Sequence, residues 1–113
     1  MLNESAIDRL QEWGGPNLVK KMVRLFLDTS HQRVDQVRDG LANDGLTEAE
    51  RGAHSLKSSA ANLGATELQE ISASMERLLS VEDTAAALEL LPHFEDAHCQ
   101  AIDALTELEA TLP

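Results

Sequence analysis

The sequence holds one cysteine, Cys99, no tyrosine, and aromatic residues at only 3% of its 113 positions. A lone cysteine cannot close an internal disulfide, so an oxidising compartment is not implied. With so few aromatics there is no platform on which bases could stack. Basic residues are scarce as well. Nine Lys and Arg stand against 20 Asp and Glu, a formal charge of −11. Nucleic acids and anionic membrane surfaces favour basic faces, so neither is expected as a partner. No segment approaches the ~20 apolar residues that span a bilayer. No N-terminal stretch joins a basic head to an apolar run of signal-peptide length, and the cytoplasm is the expected compartment. The one Gly pair, Gly14-Gly15, runs into Pro16, so no phosphate-cradling loop ending in Lys-Ser/Thr is present.

What is there is an apolar fraction of 42%, too high for a disordered acidic tail. The length suits a single domain over residues 1–113, large enough to bury a core without a disulfide or a metal. Ala, Leu, Glu and Gln dominate and strand-like alternation is missing, so the chain reads as helix nearly throughout. A short helix is predicted from about Asn3 to Glu12, ended by Gly14-Gly15-Pro16. A long one follows from about Pro16 to Ala42, with Leu18, Met22, Leu25 and Phe26, then Val34, Val37 and Leu41, as its apolar stripes.

Asn43-Asp44-Gly45 is a turn cluster. Thr47 with Glu50 predicts a capping box opening the next helix, which stops at Gly64; Thr66 with Gln69 predicts a second. Leu68, Ile71, Met75, Leu78 and Leu79 give the following helix its stripe. The last helix spans about Thr84 to Ala110, with Leu88, Leu91, Phe94, Ala97, Ile102, Leu105 and Leu108 expected inside. Pro92 predicts a kink or a short interruption. The expected fold is all-α: an antiparallel up-down four-helix bundle over about 16–110, preceded by a short extra helix.

On a helical wheel at ~100° per residue, with His54 at zero, Ala49, Leu56, Ala60 and Leu63 fall between roughly 180° and 240°. That is the core face. Glu50, Arg51, Lys57, Ser58 and Ala61 lie within roughly 60° of His54. The imidazole therefore points to solvent, Lys57 stands one turn on, and the neighbours Ser58 and Ala61 are short. A neutral imidazole is a nucleophile near neutral pH, and an ammonium beside it can offset phosphoryl charge. A surface histidine beside a surface lysine is the bland alternative that the wheel alone leaves open.

The string His54-Ser55-Leu56-Lys57-Ser58-Ser59-Ala60-Ala61-Asn62-Leu63-Gly64-Ala65 closely resembles the signature of histidine-containing phosphotransfer (HPt) domains, the helical-bundle modules of multistep phosphorelays. The family pattern of His, Lys, a small residue, Ser, Asn and Gly falls on His54, Lys57, Ser58, Ser59, Asn62 and Gly64. The preceding helix with Leu25-Phe26-Leu27 and the later Leu68, Ile71, Met75-Glu76 spacing are similar to the family too. Two positions depart from it. Ser58 stands where Gly is commonest, and Ala60 where a second Ser is usual.

The resemblance implies that His54 accepts a phosphoryl group from a receiver-domain aspartyl phosphate and passes it to another receiver. It implies that Lys57 offsets phosphate charge and that Glu76, on the next helix, orients the ring. Arg51, Ser58 and Ala61, with part of the preceding helix, are expected to meet the partner. Asn62 and Gly64 are expected to end the helix, and Ser59 to make a local backbone bond. The implied partners are response-regulator receiver domains and a hybrid sensor histidine kinase. The implied Mg²⁺ belongs to the receiver, with no cofactor in this chain, which is expected to be a monomer without autokinase activity.

Three rivals remain to be weighed. Glu95-Asp96-Ala97-His98 has the Glu-x-x-His spacing of di-iron bundles, but such sites need two of these motifs and two further glutamates. No metal site is expected. An HPt-like module that docks without accepting phosphate is opposed by the intact His54 and Lys57. A kinase is opposed by the short chain, which has no room for a nucleotide domain. The charge, finally, is uneven: residues 78–113 carry eight carboxylates and no Lys or Arg, whereas the stretch around His54 is close to neutral.

Overall fold

The computed structural model describes residues 2–113. Four helices follow one another: α1 Glu4–Ala42, α2 Leu46–Leu63, α3 Thr66–Ser80 and α4 Thr84–Thr111. The connections 43–45, 64–65 and 81–83 are too short for anything but reversal of direction. Each helix packs on the next, and α4 closes back onto α1. The result is an antiparallel bundle of 44 × 20 × 19 Å.

The expected short N-terminal helix is the first part of α1. Asn3 caps it, its side chain accepting the Ser5 N–H at 3.0 Å. The helix then breaks at Gly15, whose φ of 68° and ψ of −168° are not helical. A positive φ there favours glycine. Pro16 follows the break, where its missing N–H leaves no helical bond unmade. Residues 4–14 thus form an arm laid against the end of the bundle.

Both predicted capping boxes are wrong. The N-cap of α2 is Gly45 and that of α3 is Ala65, neither with a side-chain cap bond. The cap lies two residues before Thr47 in α2 and one residue before Thr66 in α3. Leu46 packs against the core and Ala65 is buried, so burial rather than hydroxyl capping sets the start. The Thr66 hydroxyl instead donates to the Gly64 carbonyl at 3.4 Å. Asp83 does cap α4, accepting the Ala86 N–H at 3.2 Å.

The interruption expected at Pro92 does not occur: α4 runs unbroken from Thr84 to Thr111. Pro92 removes one N–H from the ladder, but Pro92 and Leu88 four residues before are both exposed. The Leu88 carbonyl left without its donor is therefore open to water.

Phe94, Leu56, Leu63, Leu68, Met75 and Leu105 are the largest fully buried side chains. Two residues expected in the core are not there. Leu25 is 57% exposed and Leu88 49% exposed. Their places are taken by Val19 and Val23 in α1 and by Ala87, His98 and Ala101 in α4. On α2 the core face is as the wheel has it, with Ala49, Gly52, Leu56, Ala60 and Leu63 buried.

Candidate functional site

α2 and α3 form a helical hairpin about the turn at 64–65. His54 lies ten residues before Gly64 and Glu76 twelve after it, so antiparallel packing brings the two level. Their side chains meet: His54 Nδ1 stands 2.7 Å from Glu76 Oε2. Lys57, three residues on from His54 and on the same helical face, donates from Nζ to Glu76 Oε1 at 2.6 Å. One carboxylate thus holds both groups that the sequence singled out.

The electrostatics follow from that geometry. The hydrogen bond from Lys57 is the largest influence on the Glu76 carboxyl and pulls it below the usual glutamate range. Burial opposes this, and the bond from His54 reinforces it. Glu76 is therefore an ionised acceptor at neutral pH, and only a ring nitrogen bearing hydrogen can bond to it. The proton of a neutral His54 thus sits on Nδ1, leaving the Nε2 lone pair free. The His54 side chain is 60% exposed, against 23% for Glu76.

On the other side of His54 a groove of about 480 Å³ opens between α1 and α2. From α2 it is lined by His54, Ser58, Ser59 and Asn62. From α1 it takes Met22, Leu25, Thr29 and Arg33. Leu25 is the exposed apolar residue that the core does not use.

The sequence-predicted residues therefore divide. His54, Lys57 and Glu76 converge on the α3 side, while Ser58, Ser59 and Asn62 face α1. Arg51 and Ala61 do not line the groove. Arg51 turns back along its own helix to Glu48, at 3.1 Å. Ser59 makes no local backbone bond among the described residues. Gly64 ends α2 as expected, in the left-handed conformation with φ 72°.

The sequence places part of α1 at the partner face, but it does not single out Met22, Leu25, Thr29 and Arg33 as the wall of the groove. The signal was present: Met22, Leu25, Phe26 and Thr29 form a stripe wider than one core face can bury. Glu95 and His98, the metal-like pair, part company. Glu95 bonds Arg38 at 3.1 Å on the surface, and buried His98 bonds Ser30 Oγ at 2.8 Å.

Solved structures of like fold are histidine-containing phosphotransfer proteins. Protein B of this type from Pseudomonas aeruginosa PAO1 superposes with a TM-score of 0.90 at 18% identity, covering 99% of this chain and 96% of that one. A rice protein provisionally described as a histidine-containing phosphotransfer protein superposes with a TM-score of 0.78 at 18% identity, covering 96% and 81% respectively. At such identity these likenesses speak for the fold. No curated protein matches the sequence. The family model of the Hpt domain matches residues 21–111, a span that contains His54, Lys57 and Glu76 together with the α1 wall of the groove. The chain belongs to the Hpt domain family, that of histidine-containing phosphotransfer.

Proposed function

We propose that the protein is a cytoplasmic phosphorelay carrier in which His54 takes a phosphoryl group from the aspartyl phosphate of a receiver domain and hands it to another receiver. The observation that supports this most directly is the bond between His54 Nδ1 and ionised Glu76, which leaves Nε2 on an exposed ring.

The Nε2 lone pair attacks phosphorus in line with the acyl phosphate bond. The N–P bond forms as the P–O bond to the aspartate breaks, and the carboxylate departs with the electron pair. No proton need leave, because Nδ1 keeps its hydrogen and the ring becomes a phosphorylated imidazolium. Glu76, 2.7 Å away, offsets that positive charge. Lys57 spends one of its three N–H bonds on Glu76, so two remain for phosphoryl oxygens. The reverse attack by a second receiver aspartate regenerates His54. The receiver would supply Mg²⁺ and the acidic pocket that binds it. Positioning and charge offset carry most such transfers, which is what this site offers.

The receiver would dock over the groove beside His54, with Leu25 as its apolar contact and the short side chains Ser58 and Ser59 leaving the ring accessible. A hybrid sensor kinase would provide the donor receiver. No described helix is long and apolar enough to cross a membrane.

The decisive test is a transfer assay with phosphorylated receiver and with ATP in separate reactions. Acid-labile label is expected from the receiver alone, and absent in His54→Gln. Label drawn from ATP, or label that survives His54→Gln, overturns the reading. Receiver binding without any label would favour the module that docks without transfer.

A further inference from the structure

A second groove, of about 740 Å³, lies between the N-terminal arm of α1 and the last turns of α4. Its apolar lining is Leu2, Ile7, Ala104 and Leu108. Around these stand Glu4 and Asp8 from the arm and Asp103 and Glu107 from α4. It shares no residue with the groove at His54.

The charge here is unlike that elsewhere between α1 and α4. Glu109 is neutralised by Arg24 at 3.0 Å, and Glu95 by Arg38 at 3.1 Å. Glu4, Asp8, Asp103 and Glu107 have no Lys or Arg partner among the described residues, and no Lys or Arg lines the groove. Four like charges beside half-buried apolar side chains repel one another and gain from a cationic cover. From Asp103 to Thr111 the α4 wall spans nine residues, about 12 Å, which is about two turns of helix. A trough of that length between two helices accepts a third helix carrying apolar side chains at i, i+3 or i+4, and i+7.

We infer that this groove docks a basic amphipathic helix of a partner protein, its apolar side chains on Leu2, Ile7 and Leu108 and its Lys and Arg on the four carboxylates. The occupant leaves His54 and its groove uncovered, so it is held while a receiver comes and goes. It serves as a tether, and it need not be a substrate of the transfer.

The probe is a synthetic 18-residue Leu/Lys amphipathic helix, titrated into the ¹⁵N-labelled full chain at low and at physiological salt. Saturable amide shifts are expected at Leu2, Ile7, Ala104 and Leu108, with Leu25, Thr29 and Ser58 unmoved. A Leu/Glu peptide and a Ser/Lys peptide are expected not to saturate. The double variant Asp103→Lys/Glu107→Lys, both exposed positions, is expected to bind about ten-fold more weakly. The control Glu82→Lys/Glu89→Lys, outside the groove, is expected to bind as the parent does. Shifts spread over every acidic face, or equal losses in the two double variants, overturn the inference. So does movement of the groove amides with protein concentration alone, since the occupant would then be a second copy of this chain.

Discussion

Glu76 Oε2 stands 2.7 Å from His54 Nδ1, across the hairpin of α2 and α3. The pair fixes which ring nitrogen carries hydrogen, and it also fixes where the other nitrogen points. Glu76→Gln keeps an acceptor for Nδ1–H but loses the charge; Glu76→Ala loses both. Single-turnover transfer from a phosphorylated receiver should fall in that order, with Ala slower by about ten- to hundred-fold, the range for a misplaced reacting group. Transfer by Glu76→Ala at the parent rate would mean that the bond does not position the ring.

Leu25 gives a prediction that separates docking from chemistry. Its side chain is exposed on the groove wall and contributes little to the core. Leu25→Asp should leave the unfolding free energy within about 0.5 kcal/mol of the parent, as exposed substitutions usually do. Transfer from the receiver should need at least about ten-fold more receiver to saturate, since the centre of such a contact is apolar. The rate at saturation should change little. A lowered saturating rate with unchanged receiver dependence would place Leu25 outside the contact.

Glu76 and Leu25 differ in how far the sequence alone places them. His54, Lys57 and Glu76 lie on periodic helices, and a wheel plus a short turn is enough to bring them together. Leu25 belongs to the same α1 stripe as Phe26, and only the position of α2 decides which of the two is buried. The helix starts failed for a related reason. Thr47 and Thr66 have the local pattern of caps, but Leu46 and Ala65 gain more from packing than a hydroxyl gains from one N–H. Pro92 does not interrupt α4, because a proline on an exposed face costs its helix less than one whose orphaned carbonyl is sealed from water.

Buried His98 predicts how stability varies with pH. It bonds Ser30 Oγ at 2.8 Å and packs beside Phe26, ring centroids 6.2 Å apart. Burial, with a smaller push from His31, moves its pKa below 6.5, while Asp35 pulls slightly the other way. As pH falls through about 6.5, the unfolded chain takes up this proton before the folded chain does. Stability is therefore fully present above that pH and lost progressively below it. Urea midpoints measured from pH 8 to pH 5 should decline in the parent from about 6.5 downward. His98→Leu should start lower, because Ser30 loses its partner, but should decline less steeply over that window. Parallel pH profiles would remove His98 as the cause.

The turn at Gly64 carries the last prediction, because two constraints meet there. Its φ of 72° is in the left-handed region, which costs an ordinary residue about 1–2 kcal/mol. The N-terminal arm also passes directly over it: the Asn3 N–H donates to the Gly64 carbonyl at 2.6 Å. A Cβ at Gly64 would press on the Asn3 carbonyl oxygen and come within 2.9 Å of its nitrogen. Gly64→Ala meets both penalties and should lose about 2–4 kcal/mol on chemical denaturation. Asn tolerates the left-handed conformation, so Gly64→Asn isolates the contact. It should still be clearly destabilised, and its Asn3 amide should exchange faster than in the parent as the arm lifts. A Gly64→Asn protein as stable as the parent would show that the arm yields freely and that conformation alone selects glycine at this turn. Either variant, kept below its melting range, should still accept phosphate, since His54 lies ten residues away on a helix whose core face is unchanged.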